Sequence, residues 1–591
     1  MSQGELVLNR SWLRLLALVM VFGLVAAACG SDSSDDDSAG GDDDTAQTDE
    51  GGDGGDGGSD DDSAGGDDGA TEVTVPPETD DPVPGGTLRY GLIAEVDGLN
   101  PTTSALAPSG RLMGLAVFDS LVAFDSDGGW MPKLAESFTP NDDFTVWTMT
   151  LRPGVTFHDG TPLNAEAVVT NFEAQRADPL VGNAILPYYD ADTPIEAIDE
   201  LTVQYNLTFA NSEWPTSLAT AGQLGMMASP AWLEAAEADE TLNQQPVGAG
   251  PFVFESRSQD ATTRFVRNDE YYGGDVWLDA IEYFPITDGA QRADQLVGGA
   301  IDALMTTDSP SSQQLVDEEE SGGPIRNILD DTGEEAFVMM NTSAPPFDDI
   351  RVRQALTFST PRQAYNTRIA EDINRLADQM FTPDSPFYNP DVVQEADDPD
   401  RAAPLVAEYC AEFPDNCSDG KVNIEYMFSG PSAQQTRIAD LLTEGWSEHF
   451  NVSVVEVLQD DLVLNAALGA YQVNTWRQFG NPNPYNDRLW MACETVGPIS
   501  LNWPRLCDEA RTELLNSGGA ATDEATRIEN MQQVVQNVNE AYTYVFLNHT
   551  RWDNAFNEAV RGICDATTPE GGVIRCTDGG VHFSEQLWLA G

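Results

Sequence analysis

Residues 474–486, reading NTWRQFGNPNPYN, gather the side-chain types that could hold a small organic molecule. Trp476, Phe479 and Tyr485 offer aromatic faces among Gly480, Pro482 and Pro484. Clefts that take small ligands are built from such apolar plates with a few polar groups between them. Gln478 adds an amide dipole. Arg477 adds a planar guanidinium that can grip a carboxylate or phosphate through two parallel hydrogen bonds. Pairing with one of the chain's many acids is the competing reading for that arginine. Two other places could meet the same ligand. Asn100, Thr102 and Thr103 lie in a polar loop after the first expected strand, where α/β receptors place ligand contacts. Asn341 ends an apolar strand and could meet ligand backbone.

Covalent catalysis has little to stand on. His158 and Asp159 are adjacent and invite an acid–base reading, but Asp159-Gly160 favours a bend and makes a structural turn the better one. The sequence holds no Gly-x-Ser-x-Gly elbow, HExxH, phosphate loop or dinucleotide-binding glycine pattern. Met339 and Met340 read as core, not as thioether ligands. Four histidines and no CxxC leave zinc without its ligand spacing. The expectation is a binding protein with no catalytic residue, metal or cofactor.

The elements that would carry these residues are legible in part. Residues 86–94 read as a β-strand bounded by glycine, residues 111–123 have helical spacing, and residues 144–151 alternate as a strand. Asn164 is placed to cap a helix running through Phe172, with Glu166 in its favourable first turn. The folded part, about 500 residues, exceeds one hydrophobic core and calls for at least two domains.

The N-terminus sets the compartment. Arg10 and Arg14 precede an apolar run from Leu15 to Ala28, followed by Cys29. A basic start, a short apolar stretch and small residues make a secretory signal, too short for a membrane span of about 20 residues. Residues 30–84 then carry twenty acidic side chains and no basic one. Such a segment cannot bury enough apolar area to offset its ordering entropy. Its Gly-Gly-Asp runs lack the aliphatic residues of calcium-binding repeats. The net charge of -71 leaves the folded part strongly acidic too. Nucleic acid is therefore excluded as a partner, because phosphate binding needs clustered Lys and Arg. Beyond Cys29, Cys410, Cys417, Cys493, Cys507, Cys564 and Cys576 are even in number, which outside the cell suggests disulfides. Short loops favour neighbours: 410 with 417, 493 with 507, 564 with 576.

Several phrases in order carry a resemblance. Residues 132–138 (PKLAESF) and 147–151 are followed by 155–168 (VTFHDGTPLNAEAV), Val247-Gly-Ala-Gly-Pro-Phe252, and 267–272 (RNDEYY). Residues 298–303, 337–341 and 346–356 (PFDDIRVRQAL) complete the series. Together they resemble the family 5 extracellular solute-binding proteins, the peptide- and nickel-type receptors of ABC importers. Cys29 after Ala26-Ala27-Ala28 likewise resembles the lipobox of bacterial lipoproteins.

The resemblance implies a two-lobed α/β fold of the periplasmic-binding-protein type (class II, cluster C) with an extra subdomain in lobe one. It places a signal at 1–28, a lipidated Cys29 and acidic tether at 29–84, and lobe one at 85–333 with the extra subdomain at about 120–200. Lobe two spans 334–545, and 546–591 returns to lobe one. The chain would cross the hinge near 335–337 and 544–548. The family's cleft-lining stretch falls on residues 474–486. Peptide receptors place an aspartate there for the ligand's amino terminus. Here that position falls near Gln478 and Phe479, and no carboxylate occurs before Asp487. The implied function is capture of a peptide-like or other small solute and its delivery to an ABC permease and ATPase. The protein would be a monomer, held by its lipid alone at the outer face of the cytoplasmic membrane. A nickel chelate, an oligosaccharide, an anionic ligand, or a sensor not coupled to transport are the alternatives.

Overall fold

Two sheets organise the chain, and a third, smaller one is inserted in the first half. The computed structural model describes residues 81–591 apart from 97, 105, 180, 220–222 and 333. The expected signal, the lipidation of Cys29 and nearly all of the acidic tether lie outside the described residues. The first sheet has seven strands in the order Ile325–Asp330, Trp552–Asn557, Ala303–Thr306, Thr87–Leu92, Ala280–Pro285, Thr262–Arg267, Phe252–Ser258. Thr87–Leu92 is central and runs parallel to both neighbours. Trp552–Asn557, from the far end of the chain, is inserted antiparallel between Ala303–Thr306 and Ile325–Asp330.

The second sheet is built around Glu335–Met340, which pairs antiparallel with Val473–Gln478 on one side and Tyr544–His549 on the other. Lys421–Ser429 continues the sheet beyond Val473–Gln478 and pairs in parallel with the edge strand Phe450–Val457. The sequence Glu-Ala-Phe-Val-Met-Met has no polar alternation after its first residue because both faces of the strand are covered. Ala336, Val338 and Met340 enter one core, Phe337 and Met339 the other. Met339 and Met340 are thus core residues.

The small sheet runs Ala135–Pro140, Val146–Leu151, Thr202–Asn206, Ile195–Ala197, all antiparallel. Its own core is aromatic, with Trp147, Tyr205 and Trp214 in contact. The helix Ala165–Ala177 packs on it. Asn164 caps that helix by accepting from the Ala167 N–H, and Glu166 lies in the first turn. The strand expected from residue 144 begins at Val146, because Phe144 has φ 54° and ends a turn closed by Asn141. The helix expected at 111–123 is Pro108–Phe118; Asp119, at φ 61°, stops it. Disulfides join Cys410–Cys417, Cys493–Cys507 and Cys564–Cys576, with Cα separations of 5.7, 4.3 and 4.6 Å. Among the described residues no helix is long and apolar enough to cross a membrane.

Candidate binding site

The chain passes between the two large sheets twice, and the passages lie side by side. Ile325–Asp330 leaves the first sheet and Glu335–Met340 enters the second; Tyr544–His549 leaves the second and Trp552–Asn557 re-enters the first. Asp330 stands opposite Trp552 and Glu335 opposite His549. Between those pairs the Thr550 N–H donates to the Glu334 carbonyl at 2.7 Å. At the second-sheet end of the passage Glu335 is 0% exposed, and its Oε1 is 2.9 Å from His549 Nδ1. Burial, reinforced by Asp487, Glu334 and Asp331, pushes the Glu335 carboxyl well above the carboxylate range. Burial lowers His549 to about 4. The contact is therefore an uncharged hydrogen bond rather than an ion pair.

Arg477 spans the two sheets just above this passage. It projects from Val473–Gln478, its Nε lies 3.1 Å from Glu334 Oε1, and it donates to Thr307 Oγ1 at 2.7 Å. Thr307 follows Ala303–Thr306 of the first sheet. The guanidinium also lies 5.6 Å from the ring centre of Trp552, whose Nε1–H donates to Glu334 Oε2. Arg477 remains 37% exposed in its side chain, so a ligand can reach it, but its charge is already matched. Glu334 was not anticipated. Its only sequence signal is an acidic run, 330–335, in a chain crowded with acids.

The other expected contact residues divide. Trp476 is half-buried and meets Trp503 edge-on at 4.5 Å, with Trp490 5.3 Å beyond. Gln478 is half-buried opposite Glu335. Phe479 corrects the expectation of an open aromatic plate. With φ 73° it turns out of the strand's alternation and packs on Phe337 and Tyr544 at 5.5 and 5.2 Å. Tyr485 is likewise interior, its hydroxyl bonded to the Arg527 carbonyl and its ring under the Arg527 guanidinium. Asn341 has its amide committed to the Gly469 and Tyr471 carbonyls and its oxygen to Ser343, so it braces a loop. Asn100 accepts from the N–H and hydroxyl of Thr102 and donates to Asn243, closing a turn. Thr103 in that turn is exposed.

The segment 209–216, which follows the small sheet, is in contact with residues between 483 and 521. Asn483 Nδ2 donates to Thr216 Oγ1 at 2.8 Å, and Thr216 Oγ1 donates to Asn486 Oδ1 at 3.2 Å. The Ser212 hydroxyl donates to the Ala521 carbonyl at 2.6 Å. The Arg488 guanidinium lies 4.1 Å from the ring centre of Phe209. Contacts between the first and second halves of the chain thus occur here as well as at the passage. Asp487, next to Arg488, is 3% exposed, and burial raises its carboxyl to about 8.

Elsewhere, His158 and Asp159 form a turn. The His158 N–H donates to the Gly248 carbonyl, its Nε2 lies 2.9 Å from the Gly250 carbonyl, and Asp159 accepts from Thr161 and Ser229. Among the described residues no group of three or more His, Cys, Asp or Glu gathers as metal ligands. An open groove of about 710 Å³ lies on the Lys421–Ser429 and Phe450–Val457 strands, away from the passage.

Residues 129–495 match the family described as bacterial extracellular solute-binding proteins, family 5 Middle. The chain belongs to this family of two-lobed solute-binding proteins. It is 26% identical over 362 residues to the nickel-binding periplasmic protein of Escherichia coli, covering 59% of this chain and 66% of that relative, just under two thirds of its length. It is 26% identical over 498 residues to the probable di/tripeptide-binding protein 5 of Pseudomonas aeruginosa, covering 79% of this chain and 91% of the relative. The fold also matches the ABC transporter-associated periplasmic binding protein DppA of Helicobacter pylori, solved with the peptide STSA. The TM-score is 0.74 at 19% identity, covering 86% of this chain and 99% of that one.

Proposed function

We propose that this protein is the receptor of an ABC importer, capturing a peptide-like or other small solute between its lobes and handing it to a membrane permease and ATPase. The paired passage beneath Arg477 carries the reading. Two short adjacent connectors allow rotation about one line, and Arg477 reaches across that line from the second sheet to Thr307 near the first. Solute would contact Trp476, Arg477 and Gln478 on one side and the turn containing Thr103 on the other. Closure is driven only by contacts made better in the closed state, and moving a population from mostly open to mostly closed takes about 5 kcal/mol of differential affinity. Lobe one is assigned to 85–333 and 546–591, lobe two to 334–545. Secretion with Cys29 lipidated, a monomeric state and binding without turnover complete the proposal. Relatives named for nickel and for di/tripeptides support a small solute without choosing between them.

The test is small-angle scattering on the protein as secreted by its host, before and after removal of co-purifying solute identified by native mass spectrometry. The expected result is compaction on adding that solute back; an unchanged radius at saturation would falsify the hinge. Arg477→Ala is expected to expand the solute-free form and weaken binding about tenfold, since a hydrogen bond to a charged group is worth about 1.5–3 kcal/mol.

A further inference from the structure

The region of the small sheet is fastened to the second half of the chain by groups that belong to the protein alone. Arg488, on the short helix Arg488–Met491, is 4% exposed. Its guanidinium lies 4.1 Å from the ring centre of Phe209 and 5.8 Å from that of Tyr188. Those two rings meet edge-on at 5.3 Å, and they flank the strands Ile195–Ala197 and Thr202–Asn206 in the chain. Glu494 pairs with Arg488 from its own side. Two further nitrogens of the guanidinium, Nε and Nη1, have no hydrogen-bond partner among the described residues. A cation beside aromatic faces is attracted most strongly where water is excluded. The two rings are therefore what this buried charge gains, beyond Glu494, by entering the first half of the molecule.

Hydrogen bonds extend this contact. Asn483 Nδ2 donates to Thr216 Oγ1 at 2.8 Å, and Asn483 Oδ1 accepts from Arg527 Nη2 at 2.9 Å. Ser212 donates its N–H to the Gly519 carbonyl at 2.9 Å and its hydroxyl to the Ala521 carbonyl at 2.6 Å. At Gly128, where φ is 82°, a Cβ would stand 3.2 Å from the Pro482 carbonyl oxygen. The bare glycine lets the turn after Val122–Phe124 approach Pro482. On the lobe assignment above, Gly128, Tyr188, Phe209, Ser212 and Thr216 belong to lobe one, and their partners between 482 and 521 belong to lobe two. These contacts all cross between lobes, and they use none of Trp476, Arg477, Gln478 and Thr103.

We propose that the inserted small-sheet region is the catch of an interlobe latch, with Arg488 as its bolt, that holds a fraction of the protein closed before any solute arrives. The inference rests on the lobe assignment and goes beyond it, because closure driven by solute alone calls for no contact of this kind. Each neutral hydrogen bond is exchanged for one to water when the lobes part, so its net contribution is small. The guanidinium is likewise rehydrated on opening. The latch therefore biases the equilibrium without fixing it, and solute completes the closure. A receptor whose competent state is already partly populated binds more tightly by one common factor, whichever solute it takes. The small sheet thus sets the level of affinity, and the cleft residues set the choice of solute.

The test is pulsed dipolar EPR on the solute-free protein, with nitroxides on the exposed positions Ile198→Cys beside the small sheet and Val393→Cys in lobe two. Two distances are expected, with the shorter one populated in the absence of solute. Arg488→Gln is expected to lower the ratio of short to long about threefold or more, the size of one partly desolvated cation–π contact. Phe209→Leu is expected to do the same, and the two together to do no more than either alone. A control pair within lobe one, Ile198→Cys with Val573→Cys, is expected to keep one distance in every variant, which separates opening from unfolding. Should Arg488→Gln disturb that control, Ser212→Ala, which removes a single oxygen, carries the comparison. The long distance alone in the solute-free parent overturns the latch, as does a short population that neither Arg488→Gln nor Ser212→Ala lowers. If the co-purified solute then brings in the short distance, the latch is gone and the receptor reading stands. A ratio that the variants shift and that solute leaves unchanged keeps the latch and removes solute-driven closure.

Discussion

Lys133, one of only two lysines in the chain, is 1% exposed and bonded to Asp119 at 3.1 Å, Glu585 at 2.9 Å and the Tyr271 hydroxyl at 3.0 Å. Asp119 also accepts from Tyr271 and Tyr272. The network ties the end of the helix Pro108–Phe118 to the C-terminal segment. Removing its cation leaves two buried carboxylates without a counter-charge, which costs about 3–5 kcal/mol. Lys133→Met is accordingly expected to lower the urea midpoint by that amount of stability at neutral pH, and a midpoint within experimental error of the parent would remove the network from the list of stabilising features. Arg477 is the opposite case. It is partly exposed and its partners lie on both sides of a hinge, so its replacement is expected to alter closure more than folding.

Among the elements, the helix Glu509–Ala520 is fitted to Tyr485 through a glycine. A Cβ at Gly518 would stand 2.0 Å from the Tyr485 hydroxyl, which is fixed by its bond to the Arg527 carbonyl. Alanine improves helix propensity by about 1 kcal/mol, but overpacking of this kind costs about 1–3 kcal/mol. Gly518→Ala is expected to be net destabilising in thermal unfolding, and Gly518→Ala combined with Tyr485→Phe, which removes the clashing oxygen, is expected to recover part of the loss. An additive double variant would show that the two residues do not press on one another.

For the molecule as a whole, pH acts through groups that burial holds uncharged. Asp487 titrates at about 8 and Asp553 at about 7 in the fold, both raised from near 4 by burial. A raised carboxyl contributes stability that is complete below its unfolded value and is lost as pH climbs through the folded one. His549 and His582, lowered by burial to about 4, act on the acid side. Their contribution is complete above about 6.5 and fades as pH falls toward 4. From these four groups stability is expected to be nearly level between about pH 4 and 6.5, where the two opposite slopes cancel, and to decline above about pH 6.5 as the carboxyls ionise. Asp487→Asn is expected to flatten the decline between pH 6 and 9 in a urea series; an unchanged slope there would mean that Asp487 is ionised in the fold.

Much of this architecture could be read from the chain itself. The apolar stretch ending at Asn341 reads as a strand, and Met339 and Met340 as core, because nothing polar interrupts it; that both faces are covered only the fold shows. Asn164 announced a cap because its side chain needs only the next turn. The ordered phrases from residue 132 onward announced the family. What stayed hidden depends on contacts that no local pattern encodes. Glu334 and Arg477 are joined only where two strands cross between sheets. Phe479 leaves the cleft because a left-handed φ breaks the alternation that would have pointed it outward. Arg511 looks like any surface arginine in the sequence, yet on the helix Glu509–Ala520 it is 2% exposed and bonded to Asn537. Local chemistry writes strands, caps and turns, whereas burial and charge matching belong to groups distant in sequence that meet only when the chain is folded.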